Sequence, residues 1–132
     1  MPMIDIYASP GTFADPARLA REAASELMAA ERLPDLQIFR ANTAAFVHDV
    51  LFLADVNGNG ACVRVQVLTP HAALDRDKQR DAVARLTTLV AASSAVPPDR
   101  VWVLLTEAAE GGWGIAGRAL GAEDIAAVSQ QT

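Results

Sequence analysis

The chain is poor in the residues from which metal centres and secreted scaffolds are built. Its single cysteine, Cys62, has no partner for an internal disulfide. A reducing, cytoplasmic setting suits such a chain best. The two histidines, His48 and His71, fall in neither an H-x-x-x-H nor a C-x-x-C spacing, so no metal or other cofactor is expected. The 11 Lys and Arg residues are scattered and outnumbered by 16 Asp and Glu, which leaves no basic patch for a nucleic acid. No apolar run approaches the ~20 residues of a membrane span. The N-terminus lacks the basic and apolar regions of a signal peptide.

What is present points to one packed domain. The chain has 132 residues, 52% of them hydrophobic and 20% charged, enough apolar material for a core in a single domain, 1–132. Met3–Ala8 alternates, with Ile4, Ile6 and Ala8 on one face and Met3, Asp5 and Tyr7 on the other, the period of a strand. Ser9-Pro10-Gly11 is turn chemistry, and Asp15-Pro16 opens a helix as N-cap and first helical position. Its apolar stripe is Leu19, Ala20, Ala23, Ala24, Leu27 and Met28, and Pro34 closes the segment. Leu36–Asn42 reads as a connection and Thr43–Val50 as a second strand.

The same rhythm then repeats. After the turn Asn57-Gly58-Asn59-Gly60, Ala61–Leu68 is a strand with Val63, Val65 and Val67 opposite Arg64 and Gln66. Asp75 caps a helix running to about Ala92, with Val83, Leu86, Leu89 and Val90 as its stripe. Val101–Thr106 is apolar on both faces, as in a strand covered on both sides. Gly111–Gly117 is too glycine-rich for a regular strand interior, and a short helix is expected near Glu123–Ser129. The predicted fold is therefore α/β (α+β): two tandem β-α-β units, about 1–55 and 60–117, plus a C-terminal tail. They form one four-stranded sheet with both helices on one face. A half-apolar open face predicts self-association into a closed ring.

Pro2 is the residue with the most chemistry in reach. Removal of Met1 exposes a secondary amine at the start of a buried strand. An α-amino group titrates near ~7.7–8.0, and burial or a neighbouring cation lowers that value towards the range of a general base. The alternative is that Pro2 is simply a common second residue.

Two stretches resemble a known family. Met1-Pro2-Met3-Ile4-Asp5-Ile6-Tyr7 is similar to the N-terminus of the tautomerase superfamily, a proline followed by an alternating strand. Val101–Gly117, V-W-V-L-L-T-E-A-A-E-G-G-W-G-I-A-G, resembles the closing strand and hairpin of 4-oxalocrotonate tautomerase. As an architecture the resemblance covers about the whole chain, in the long form where two short units are fused. It implies a homotrimer and a cofactor-free keto–enol tautomerase. In that reaction Pro2 is the general base on a small 2-keto or 2-hydroxydienoate acid, provided Met1 is removed. Decarboxylases and dehalogenases or hydratases of the same superfamily use a protonated proline instead. A catalytically silent trimeric binding protein is the reading from another class.

The arginines that clamp carboxylates in the family are not at their expected places. Those positions hold Thr12 and Ala44 in the first unit and His71 and Trp102 in the second. A dicarboxylate is therefore disfavoured against a substrate with one anionic group or an aromatic enol. Arg64, on the face opposite the valines and hence directed at the N-terminal amines of a trimer, is the best replacement; its alternative is an interface ion pair, for example with Asp5. His71 binds a carboxylate or carbonyl, or is a solvated loop histidine. Trp113 matches the family's hairpin aromatic and is expected to wall the amine. Arg40 and Tyr7 are weaker substrate contacts, and His48 is read as a structural or interface histidine because it and Asp49 face opposite ways in a strand.

Overall fold

The computed structural model describes residues 1–130. Its elements run β1 (Met3–Ala8), α1 (Pro16–Glu31), α2 (Gln37–Ala41), β2 (Ala44–Asp49), β3 (Val63–Thr69), α3 (Arg76–Ala92), β4 (Val101–Glu107), β5 (Trp113–Ile115), β6 (Arg118–Leu120) and α4 (Ala122–Ser129). The main sheet has the order β2-β1-β3-β4. β1 pairs in parallel with β2, and β3 with β4, while β1 and β3 meet antiparallel at the centre. Two β-α-β units therefore face each other across an internal two-fold relation.

The strand period sorts the residues into two layers. Ile4, Ile6 and Ala8 of β1 and Val63, Val65 and Val67 of β3 are buried together with Leu19, Ala23 and Leu27 of α1 and Ala82, Leu86 and Val90 of α3. Asp15 caps α1 by accepting from Arg18 N–H at 3.0 Å, and Asp75 caps α3 by accepting from Lys78 N–H at 2.9 Å. Arg85 of α3 ties the two helices by donating to Glu26 at 2.8 Å. The other face of the sheet is uncovered, with Phe46, Leu68, Trp102 and Leu104 exposed.

Three expectations are corrected. Val83 is exposed; the inward stripe of α3 is Ala82, Leu86 and Val90, one residue round the helix. Leu36–Asn42 contains the short helix α2, which buries Phe39 completely. The glycine-rich segment does form a strand pair, β5 with β6. Ala116 and Gly117, both at positive φ (53° and 79°), make the two-residue turn between them. The glycines serve the turn rather than prevent the strands.

Candidate functional site at the N-terminal end of the sheet

The register places the start of β1 beside the ends of β3 and β4. Met3 lies opposite Leu68, and Thr69 is level with Glu107. Pro2 is buried, and its carbonyl accepts from Ala44 N–H at 3.3 Å. Met1, 1% exposed, packs with Phe39 and Trp113 in a second apolar cluster, distinct from the main core. Met3, Met28, Leu33, Leu36, Ile125 and Val128 close around it. The C-terminal hairpin and α4 thus act as a cover over the N-terminus.

One charge sits inside this cover. Glu31, the last residue of α1, is 4% exposed, and both its carboxylate oxygens accept from the terminal ammonium, at 3.0 and 3.1 Å. Burial pushes the terminal amine below its ordinary value and the Glu31 carboxyl above its own, in each case against the pull of the partner charge. The pair is therefore poised with its two affinities for the proton brought closer together. Thr43, the residue before β2, adds a buried hydroxyl with no hydrogen-bond partner among the described residues.

Of the sequence candidates, Pro2 and Trp113 meet at this end, and His71 lies near it. The His71 ring stands 3.5 Å from Glu107, where β4 ends. Arg40 is exposed on α2 and pairs with Asp35 at 3.0 Å. Arg64 and Tyr7 are brought together, but at the opposite end of β1. Tyr7 pairs in register with Arg64, whose guanidinium lies 4.6 Å from the phenol ring centroid. Within the chain Arg64 and Asp5 do not pair, and an ion pair between copies is a separate matter. Asp5 instead pairs with His48 at 2.7 Å, and the His48 ring stacks on Tyr7 with centroids 4.5 Å apart. Within one chain, then, Arg64 does not share a site with Pro2. It lines a separate cavity of about 300 Å³ with Tyr7, Val50, Phe52, Leu53, Cys62 and Trp102.

Glu31 and Phe39 were not among the residues singled out from the sequence. Glu31 had a signal: Leu19, Ala23, Leu27 and Glu31 follow one another at i+4, so the glutamate continues the buried stripe. Phe39 had none, because a five-residue helix is too short to show a period. Among the described residues there is no group of three or more His, Cys, Asp or Glu placed to hold a metal ion, and no helix long and apolar enough to cross a membrane.

No family model matches the chain, and no curated protein matches it. Solved structures do. Pt0534, in a structure inactivated by 2-oxo-3-pentynoate, superposes with a TM-score of 0.76 at 17% identity, over 92% of this chain and 97% of that one. A macrophage migration inhibitory factor-like protein from Entamoeba histolytica gives 0.74 at 16%, over 90% and 98%. A native fused 4-OT gives 0.73 at 13%, over 89% and 94%. The chain therefore has the fold of the tautomerase superfamily, a four-stranded mixed sheet backed by helices. At these identities the likeness is one of fold.

Proposed function

We propose that the chain, once it begins at Pro2, is a cofactor-free tautomerase in which the Pro2 amine moves a proton between carbon and oxygen of a small keto or enol substrate. The observation that carries this reading is the buried apolar chamber around the start of β1, walled by Phe39 and Trp113. An amine confined there loses solvation of its charged form, and its pKa falls towards neutrality. The Met1 side chain fills that chamber. Its removal frees the amine and vacates a methionine-sized space next to it. Likeness in fold to solved enzymes of the superfamily supports an enzyme, and the substitutions at Thr12, His71 and Trp102 weigh against the decarboxylase and dehalogenase variants, which need cationic clamps. The uncovered, half-apolar sheet face fits assembly as a homotrimer, with Arg64 of one copy free to approach a neighbour's site. One solved relative is described as a trimer of fused 4-OT.

Intact mass establishes whether the chain starts at Pro2. Treatment with 2-oxo-3-pentynoate, the inactivator of Pt0534, should add one equivalent of mass on the Pro2-containing peptide. Ketonisation of a 2-hydroxydienoate should disappear in Pro2→Ala. An adduct elsewhere, or equal rates for the two proteins, would sink the proline mechanism. The second reading, a silent binding protein, is favoured by the paired and buried Met1 amine. It predicts retained Met1, no adduct and no turnover.

A further inference from the structure

Glu31 is the one charged side chain that is buried among the described residues, and a proline base alone gives it no task. A carboxylate taken out of water is costly unless something needs it there. Both its oxygens are aimed at the terminal nitrogen. Pro2 follows one residue on, with its Cα ~3.8 Å from that of Met1. Loss of Met1 removes the one hydrogen-bond donor that Glu31 has among the described residues and leaves the carboxylate facing the vacated space beside the new amine. The surrounding walls, Phe39 of α2, Trp113 of β5, Met3 of β1 and Met28 of α1, carry no charge. From α3, Lys78 is the side-chain cation whose charge is felt at Glu31. His71 and Glu107, at the end of β4, are exposed and occupy each other.

We infer, on the basis of the proline reading, that Glu31 is the second proton-transfer group of the site and that its charge selects an uncharged carbonyl or enol over a carboxylate-bearing one. The dyad of Pro2 and Glu31 carries one mobile proton at rest, on the amine. With an enol bound, the Glu31 carboxylate takes the proton from the enol oxygen while the Pro2 ammonium delivers its proton to the adjacent carbon. The C=C π pair forms the new C–H bond, the O–H pair becomes the C=O π bond, and no other reactant is needed. Glu31 then returns its proton to the Pro2 amine, one residue along from the terminal nitrogen that it holds at 3.0 Å. In the reverse direction the amine removes the α-proton and protonated Glu31 donates to the carbonyl oxygen. Within one copy a substrate carboxylate gains no clamp in this chamber and meets a fixed negative charge instead.

The test follows exchange of α-protons for deuterium by NMR, on protein shown by mass to begin at Pro2, with phenylacetone and phenylpyruvate as probes that differ by a carboxylate. Phenylacetone should be exchanged with a kcat/KM at least equal to that of phenylpyruvate. Glu31→Gln should lower kcat for phenylacetone by about 10²-fold, the scale of one acid–base group, with KM changed less than about threefold. It should also improve phenylpyruvate relative to phenylacetone. Glu31→Asp keeps the charge, serves if the amide variant fails to fold, and should show a reduced kcat with phenylacetone still preferred. Wild-type kcat in Glu31→Gln or Glu31→Asp, or a tenfold preference for phenylpyruvate in the wild type, overturns the inference. Pro2→Ala separates the two claims. Full exchange in Pro2→Ala, or none in the wild type, removes both the proline reading and this one. Loss in Pro2→Ala with none in Glu31→Gln removes Glu31 alone.

Discussion

The two ends of the sheet are built on the same plan and finished differently. β1 is preceded by Pro2 and β3 by Cys62, both buried. At the Pro2 end the hairpin β5–β6 and α4 fold over the strand start, and Met1, Phe39 and Trp113 fill the space beneath. At the Cys62 end only the loop after β2 is available. It leaves Leu51, Phe52 and Val56 exposed and a cavity of about 300 Å³ open beside Arg64 and Trp102. The closed end holds a buried acid in an apolar chamber; the open end offers a cation among aromatic rings. The C-terminal tail covers only one of the two ends, and that cover makes them chemically distinct.

The sharpest way to break this comparison is to remove one aromatic from each end. Trp113, 7% exposed, touches Met1 and Phe39 and anchors the cover. Trp113→Ala should cost about 3–5 kcal/mol in urea unfolding, the range for a buried large-to-small change. Phe52, 93% exposed, should change stability by less than about 0.5 kcal/mol as Phe52→Ala. Equal losses would mean that the open end is closed in solution by another copy, and light scattering of Phe52→Ala would then show a smaller assembly.

The two ends should also answer pH in opposite senses. Burial raises the Glu31 carboxyl above its ordinary value, so the folded state holds that proton more tightly than the unfolded one. The contribution is present below the unfolded value and is lost as pH rises through the folded one. Asp55, in the loop of the open end, is lowered instead. The N–H groups of Asn59 and Asn57 and the Arg100 guanidinium, 2.8 Å away, all favour its charged form. Its contribution is present above the unfolded value and lost as pH falls through the folded one. Thermal melts between about pH 3 and pH 8, on protein that retains Met1, check both. The Tm of wild type relative to Glu31→Gln should fall with rising pH, and that of wild type relative to Asp55→Asn should fall with falling pH. Parallel slopes would show that the two carboxylates share one environment.

Much of this was legible from period and punctuation. The alternation of Met3–Ala8 and Val63–Thr69 announces the two central strands, and the caps Asp15 and Asp75 announce the two long helices. The open face was legible too, from Arg64 and Gln66 opposite the valines. What a one-dimensional reading missed is the joining of parts distant in the chain. Glu31 reaches the N-terminus across 30 residues, and His48 reaches Asp5 across 43. His48 was judged against Asp49, its neighbour in sequence, when its partner stands on the adjacent strand. Arg64 lies on the open face, as its alternation with the valines requires, and antiparallel pairing sets it beside Tyr7 within the chain. Register, which decides this, is fixed by packing of whole strands and not by any one residue.

The smallest prediction concerns how the closed end is held shut. Between Ile115 and Arg118 the chain turns in two residues at positive φ, the geometry of a type I′ hairpin. Gly117 enters that region freely, but Ala116, at φ 53°, carries a Cβ that crowds the following carbonyl at a cost of about 1 kcal/mol. Asparagine tolerates this conformation, and Asn-Gly is the preferred pair for such a turn. Ala116→Asn should therefore stabilise the protein by about 0.5–1 kcal/mol and raise Tm by roughly 2–4 °C. Position 116 is exposed, so the gain comes from the backbone and not from new packing. If it appears in Tm and also slows amide exchange at Trp113, the cover opens by unfolding of this hairpin. A higher Tm with unchanged exchange at Trp113 would place the opening in α4 instead, whose Ile125 and Val128 form the other half of the cover.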